Sequence, residues 1–145
     1  MKVIVKKIGE KALELREYIT ASQWDMDSED IHFLDNIFIK CRFVRKKGEI
    51  NVDVSLRFVR DIRCSRCLEW NKVESHDNFL LIYKDSEIKQ GVLEVDADIR
   101  EKILLDWPLK PLCKPDCRGI CPGCGRNLNR EKCICNSSSR VSLLR

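Results

Sequence analysis

Eight of the nine cysteines in this 145-residue chain occur at spacings that could bind metal. Six lie between Cys113 and Cys135, and Cys64 and Cys67 form a C-x-x-C pair upstream. Tetrahedral Zn²⁺ takes four thiolates, and short turns rich in Gly and Pro bring such thiolates together. The pattern therefore predicts structural metal binding, with zinc as the ion.

The number of clustered thiols favours two sites of four cysteines each. The first predicted site is Cys64, Cys67, Cys113 and Cys117, and the second is Cys121, Cys124, Cys133 and Cys135. One residue separates Cys133 from Cys135, so both can bind one ion only if the backbone turns between them. A single site built on Cys121 and Cys124 with two other thiols remains open. So does a redox dithiol or an iron–sulfur site, because four thiolates also suit iron.

The remaining candidate ligands and catalytic groups are assigned structural roles. Cys41 lies with Ile37, Ile39 and Phe43 on the apolar face of a predicted strand. His32 and His76 have no cysteine at ligand spacing. The sequence contains no phosphate-binding glycine loop, no Ser/His/Asp or Cys/His arrangement and no converging carboxylate pair. Because thiols are numerous enough to close every metal site, we expect neither enzymatic activity nor a small-molecule substrate.

Composition indicates a globular chain that works in a reducing compartment. Hydrophobic residues make up 43% and charged residues 34%, and no apolar run is long enough to cross a bilayer. Lysines interrupt the apolar start Met1–Lys7, which therefore does not resemble a secretory signal. In a reducing compartment the nine cysteines stay reduced and available to bind metal, so the cytoplasm is the expected location. No membrane partner is expected.

The predicted fold class is α+β. An antiparallel hairpin is predicted over Ile37–Cys64, with its turn at Lys46–Glu49, because apolar and polar residues alternate on both arms. Further strands are predicted at Met1–Ile8, Lys72–Tyr83 and Val92–Val95, and a short helix within Glu10–Ile19. These strands would form an antiparallel β-meander or partial barrel.

One covering helix is predicted before Pro108. Asp98 and Glu101 have the spacing of a capping box, and Ile99, Ile103 and Trp107 form one apolar face. The predicted domains are a sheet-and-helix domain at 1–109 and a Cys-rich zinc knuckle or ribbon at 110–135, packed on it. A disordered tail is expected at 136–145.

Two cysteine motifs resemble the bacterial and plastid YceD family, named for accumulation of large-subunit ribosomal RNA. They are Cys64-Ser65-Arg66-Cys67-Leu68 and the run from Cys113 to Asn129, CKPDCRGICPGCGRNLN. The resemblance extends from near Ile37 to Cys135, with Ile120 where the family usually has leucine. Some members lack the second cysteine group but keep the first pair and the equivalent of Cys117, which supports two separable sites.

The resemblance implies a non-enzymatic factor in synthesis, processing or stability of large-subunit rRNA. Its partner would be that RNA or a pre-ribosomal particle. The alternative is a zinc-stabilised interaction module that holds a large-subunit ribosomal protein or an rRNA-processing enzyme.

The distribution of charge is compatible with an RNA partner. The net charge is +4, and residues 110–145 carry eight Lys/Arg against two acidic residues. This excess either compensates thiolate charge or faces a polyanion. The residues expected to contact phosphate are Arg118, Arg126, Arg130 and Lys132. Aromatic residues make up only 7% and show no stacking platform, so readout of single-stranded bases is not expected.

Overall fold

The computed structural model describes residues 1–88 and 90–135. The tail predicted at 136–145 lies outside the described residues. The strands are β1 (Lys2–Ile4), β2 (Leu13–Ile19), β3 (Ile31–Phe33), β4 (Ile37–Lys46), β5 (Glu49–Arg63), β6 (Trp70–Lys84) and β7 (Val92–Glu94), and the helix is α1 (Asp96–Leu105). Single 3₁₀ turns occur at Val5–Lys7, Ala21–Gln23 and Asp85–Glu87. The α+β class is confirmed.

The predicted hairpin is confirmed as β4 and β5. The two strands pair antiparallel from Phe38 opposite Arg57 to Lys46 opposite Glu49. Lys47 and Gly48 form the turn with φ values of +48° and +83°, as two-residue hairpins with the natural strand twist require. One face of the hairpin is buried, and Cys41 is fully buried on it, as expected for a core residue.

The prediction of a short helix within Glu10–Ile19 is wrong, because Leu13–Ile19 is a strand. β2 pairs antiparallel with β4, from Leu13 opposite Phe43 to Ile19 opposite Ile37. The segment L-E-L-R-E-Y-I has a period of two, and Leu13, Leu15 and Ile19 turn to the core side. Pairing with a buried strand overrides the weak helical propensity of the glutamates.

The main sheet has the order β2-β4-β5-β3, with β6 also paired to β5. β1 and β7 form a separate antiparallel pair, in which Val3 lies opposite Leu93. The strand predicted over Met1–Ile8 is shorter than expected, because a 3₁₀ turn follows Ile4. The strand predicted at Lys72–Tyr83 is confirmed within β6, with Phe79, Leu81 and Tyr83 packed against the core.

The predicted covering helix is confirmed as α1, but the predicted capping box of Asp98 and Glu101 is not formed. The helix begins three residues earlier than expected, with Val95 rather than Asp98 at the N-cap and no side-chain cap. The Asp98 carboxylate instead accepts a hydrogen bond from the Tyr83 hydroxyl of β6. Ile99 and Ile103 are buried in the same apolar cluster as the inner face of β4 and β5, so α1 packs on that face.

The chain divides into two units. The first comprises Met1–Asp61 and Lys72–Pro108, and the second, the cysteine-rich unit, comprises Ile62–Asn71 and the segment from Leu109 onward. The cysteine-rich unit thus contains the ends of β5 and β6 as well as the segment 110–135 expected from the sequence. No helix among the described residues is long and apolar enough to span a membrane.

Burial of α1 gives a direct test of this packing. Ile99→Ala should lower the free energy of unfolding by about 2–4 kcal/mol, because it leaves a cavity at a fully buried position. Leu105→Ala on the same helix is the matched control, and it should cost under about 0.5 kcal/mol because Leu105 is exposed. Urea unfolding followed by tryptophan fluorescence measures both, and equal losses would contradict the packing of α1 on the sheet.

Candidate metal centre

A tight turn between β5 and β6 presents Cys64 and Cys67. The Leu68 amide donates to the Cys64 carbonyl oxygen at 2.9 Å, and the Cys64 amide donates to the Glu69 carbonyl oxygen at 2.9 Å. Leu68 has φ of +60°, a conformation that costs a side-chain-bearing residue energy. This turn points both sulfurs to one side of the hairpin end.

A second segment completes the first group with Cys113 and Cys117. The Ser65 amide donates to the Pro111 carbonyl oxygen at 2.8 Å, which holds the segment beside the turn. Arg66 also holds this segment through two hydrogen bonds. The Arg66 Nη1 donates to the Cys117 carbonyl oxygen at 3.0 Å, and the Arg66 carbonyl oxygen accepts from the Ile120 amide at 3.1 Å.

Gly119 makes that approach possible. Its φ is +73°, and a Cβ at this position would lie 3.1 Å from the Arg66 carbonyl oxygen. Both the left-handed backbone and the close approach therefore favour glycine here.

The sulfurs of the first group lie at distances that suit a zinc-centred tetrahedron. Cys64 Sγ lies 3.7 Å from Cys117 Sγ, and Cys67 Sγ lies 3.6 Å from Cys113 Sγ. A zinc ion with bonds of about 2.3 Å to four sulfurs requires edges of about 3.8 Å. A disulfide would bring two sulfurs to about 2.05 Å, and all four cysteines are free. The geometry therefore fits a metal ion and not a disulfide.

The second group is built on the turn Cys121–Cys124. The Gly125 amide donates to the Cys121 carbonyl oxygen at 2.8 Å, and Gly125 has φ of +72°. The Cys121 sulfur lies 3.3 Å from that of Cys133 and 3.7 Å from that of Cys135. All four sulfurs in each group lie within 4.8 Å of one another, so the two predicted sets of cysteines are brought together.

The backbone folds around a sulfur at the C-x-C pair. The Cys135 amide donates a hydrogen bond to Cys133 Sγ at 3.3 Å. The backbone therefore turns between the two cysteines, as two ligands separated by one residue require. Cys133 and Cys135 are both exposed, whereas three of the four cysteines in the first group are buried. The second group is therefore the more accessible of the two.

Two asparagines join the groups within the cysteine-rich unit. Asn129 Nδ2 donates to Cys117 Sγ at 3.3 Å, and the Asn127 side-chain oxygen accepts from both the amide and the Nδ2 of Asn129 at 2.9 Å. Asn127 Nδ2 donates to a Glu69 carboxylate oxygen at 3.2 Å. The motif N-L-N, which carried no assigned role at the sequence level, therefore positions a thiolate.

Hydrogen bonding lowers the pKa of two thiols in each group, those of Cys64 and Cys117 in the first and of Cys121 and Cys124 in the second. Burial acts to raise the pKa of Cys64, but backbone N–H groups of Cys67 and Arg66 outweigh it and lower that pKa to about 6. Backbone N–H groups of Ile134 and Arg126 lower the pKa of Cys124 to about 6. These thiols are ready to act as ligands near neutral pH.

The pKa values of the other two thiols in each group are raised. Burial and the neighbouring sulfurs raise the pKa of Cys113 to about 12. The sulfurs of Cys133 and Cys121 raise the pKa of Cys135 to about 12. Four thiolates within a few ångströms of one another therefore need a cation between them.

The donor sets favour structural rather than catalytic metal. Each group offers four sulfurs, which fills a tetrahedral ion and leaves no position for a reactive water. A bound ion would supply cross-linking of the two segments and charge compensation. Thiolates at these distances suit both zinc and iron.

The four basic residues expected at phosphate differ in whether a carboxylate already pairs with them. Arg130 pairs with the Glu69 carboxylate, and Arg126 Nη1 lies 3.1 Å from a Glu131 carboxylate oxygen. Arg118 is exposed, and only its backbone amide bonds to Asn129, at 2.9 Å. Lys132, the fourth, is exposed as well. Arg118 and Lys132 form no ion pair with the described residues, so they are the most available to an anion.

The residues assigned structural roles lie outside both groups. Cys41 is in the core, where burial raises its pKa to about 12. His32 and His76 are exposed, and His76 Nε2 lies 3.0 Å from a Glu74 carboxylate oxygen. None of the three belongs to a metal-binding group among the described residues.

Comparison with known proteins points to one family. The family described as "Large ribosomal RNA subunit accumulation protein YceD" matches residues 73–143, which include the cysteines from 113 to 135. The resemblance to the YceD family is confirmed. Over an alignment of 137 positions, the chain is 23% identical to the chloroplastic YCED homolog 1 of Arabidopsis thaliana, with 67% of this chain and 43% of the relative covered.

Other relatives of the YceD-like chain have similar coverage. The maize chloroplastic YCED homolog 1 is 22% identical, with 68% of this chain and 48% of the relative covered. An uncharacterized protein of Mycobacterium tuberculosis is 29% identical over 82 residues, 47% of this chain and 40% of its own. The chain spans less than half the length of these curated relatives. No solved structure matches it significantly.

The metal groups predict a stepwise pattern of thiol reactivity. In the metal-loaded protein, all eight clustered cysteines should resist iodoacetamide, and a chelator should expose them, Cys133 and Cys135 first because they are exposed. Cys41 should stay unmodified until guanidinium unfolds the chain, because burial raises its pKa to about 12. Mass spectrometry of the alkylated peptides measures the order. Immediate alkylation of Cys64 and Cys67 without chelator would instead favour a redox dithiol.

Two glycines allow a matched test of the local geometry. Gly119→Ala and Gly125→Ala both place a side chain at positive φ, which costs about 1–2 kcal/mol. Only Gly119→Ala also brings a Cβ against a backbone oxygen. A chelator competition should therefore show weaker metal retention for Gly119→Ala than for Gly125→Ala. Equal retention would contradict the close approach of the Gly119 and Arg66 backbones.

Proposed function

We propose that this chain is a non-enzymatic, zinc-binding factor that supports the synthesis, processing or stability of large-subunit ribosomal RNA. It would act by docking on that RNA or on a precursor particle. The observation that carries the proposal is a unit built on two closed groups of four thiols, in a chain that matches a family named for accumulation of this RNA.

The closed donor sets support a structural role for the metal. A catalytic zinc keeps a position for water, whereas each group here supplies four sulfurs. A reducing compartment, the cytoplasm in the expectation from the sequence, would keep these thiols available to zinc. The metal would hold the cysteine-rich unit in shape and present its surface to a partner.

Charge supports RNA as that partner. The described residues of the cysteine-rich unit include eight Lys/Arg against three acidic residues. Two four-thiolate zinc sites would carry about −4 in total, so the fully loaded unit is close to neutral. Attraction to phosphate therefore depends on individual exposed cations. Arg118 and Lys132 are best placed, because Arg126 and Arg130 are already paired with carboxylates.

A protein partner is the second candidate. Leu80 and Ile82 on β6 are about half exposed, on the side of the strand opposite the core-facing Phe79 and Leu81. A ribosomal protein or an rRNA-processing enzyme could cover them. Co-purification from cells that survives RNase would favour this candidate, and loss of every partner after RNase would favour direct RNA docking.

Removal of the two unpaired cations tests the RNA proposal. The double variant Arg118→Gln/Lys132→Gln should weaken binding to a large-subunit rRNA fragment and reduce the slope of log K against log salt by about 2, since two phosphate contacts are lost. Lys6→Gln/Lys7→Gln removes the same charge elsewhere and is the control. Ultraviolet crosslinking in cells, followed by sequencing, should recover large-subunit rRNA with the wild type and less with the first variant. Unchanged recovery and slope, with zinc retained, would contradict docking through these residues.

A further inference from the structure

The outer face of the main sheet carries two aromatic rings and a guanidinium in one row. Tyr18 of β2 lies directly opposite Phe38 of β4, which lies opposite Arg57 of β5. The Tyr18 and Phe38 ring centroids are 5.1 Å apart, and the Arg57 guanidinium carbon lies 5.8 Å from the Phe38 centroid. Tyr18 is 68% exposed, which is unusual for a large aromatic residue. We name Tyr18, Phe38 and Arg57 the aromatic platform.

The neighbouring rows of the same face are mostly basic. Arg16 lies opposite Lys40, and Arg42 lies between Glu14 and Asp53. Arg16 and Lys40 share the single Glu14 carboxylate, at 2.6 Å from Arg16 Nη2 and 3.0 Å from Lys40 Nζ, so only one of their two charges is compensated. With Arg57, four cations face two carboxylates, so the face has net positive charge beside the exposed Tyr18 ring and the half-buried Phe38 ring.

A pocket adjoins the aromatic platform. It has a volume of about 210 Å³ and is lined by the platform residues and, among others, by Asp35 and Asn36. Rings supply flat apolar contact, while the amide and the carboxylate supply a donor and acceptors at the rim. Such a combination suits a single planar heterocycle with polar edges, and the volume is too small for a drug-sized ligand.

We propose that the aromatic platform binds an unpaired base of single-stranded RNA, with the flanking backbone running over Arg16, Lys40 and Arg42. Single-stranded nucleic acid is held by aromatic rings that stack on bases and by cations that follow the phosphates. A protein segment would use the rings but would gain little from the row of cations unless it were acidic. This inference goes beyond the proposed function, which assigns phosphate contact to the cysteine-rich unit and no base contact.

The test compares single-stranded with duplex RNA. The probe is a fluorescent mixed-sequence RNA of about 12 nucleotides, within the site size of single-strand binders, used alone or annealed to its complement. Binding to the full zinc-loaded chain is followed by fluorescence anisotropy. Tyr18→Ala/Phe38→Leu should weaken single-strand binding at least about five-fold and leave duplex binding unchanged within about two-fold. Tyr18→Phe keeps the ring and should bind as the wild type does.

Two further variants keep the result interpretable. Arg57→Gln removes the guanidinium without removing an aromatic ring, and it should weaken single-strand binding even if the double variant folds poorly. Leu80→Ala/Ile82→Ala removes exposed apolar surface from β6 and should have no effect. Photo-crosslinked peptides from the wild type should include the one that contains Phe38.

The outcomes separate this inference from the proposed function. Loss with Arg118→Gln/Lys132→Gln but not with the platform variants would overturn the platform and leave docking through the cysteine-rich unit intact. Loss with the platform variants alone would support the platform and contradict that docking. Failure of the wild-type chain to bind the single strand, or equal losses for single strand and duplex, would overturn base stacking.

Discussion

Mutual repulsion among thiolates is the constraint on which the cysteine-rich unit depends. Among its described residues the buried side chains are Ile62, Cys64, Cys67, Cys117 and Cys121, which is far too little apolar surface to hold a fold. The sulfurs must therefore supply the cohesion, and they can do so only around a cation. Metal binding and folding of this unit are, in this account, one event, whereas the first unit has its own apolar core.

The same constraint decides which charges remain for a partner. Glu69 accepts from Asn127 and pairs with Arg130, so one carboxylate serves both the asparagine network at Cys117 Sγ and a surface cation. Arg66 is likewise used to hold backbone at the first group. Part of the basic excess is thus structural. In the proposals made above, the exposed, unpaired cations and the aromatic platform are the parts that contact RNA.

Sequence reasoning succeeded where a local pattern or a count of ligands carries the signal. Alternation predicted β4 and β5, and the short spacing within each cysteine pair predicted the turns that carry the thiols. Counting of the thiols then joined Cys64 and Cys67 to Cys113 and Cys117, although 53 positions separate Cys64 from Cys117. Sequence reasoning failed where the structure depends on strand pairing or on a hydrogen bond between two elements. Leu13–Ile19 is a strand because it pairs with β4. Asp98 does not cap the helix, because its carboxylate accepts a hydrogen bond from Tyr83 of β6. The aromatic platform could not be predicted from the sequence either, because Tyr18 and Phe38 are brought together only by the register of β2 against β4.

Native mass spectrometry of the purified full chain tests the central claim most directly. The mass distinguishes zinc from iron and counts the ions bound to each chain. Two zinc ions per chain, falling to one in Cys121→Ser and in Cys64→Ser, is the result that two closed four-thiol groups require. A chain that carries no metal, or one ion that both variants abolish, would contradict the account of a unit held together by two separate metal centres.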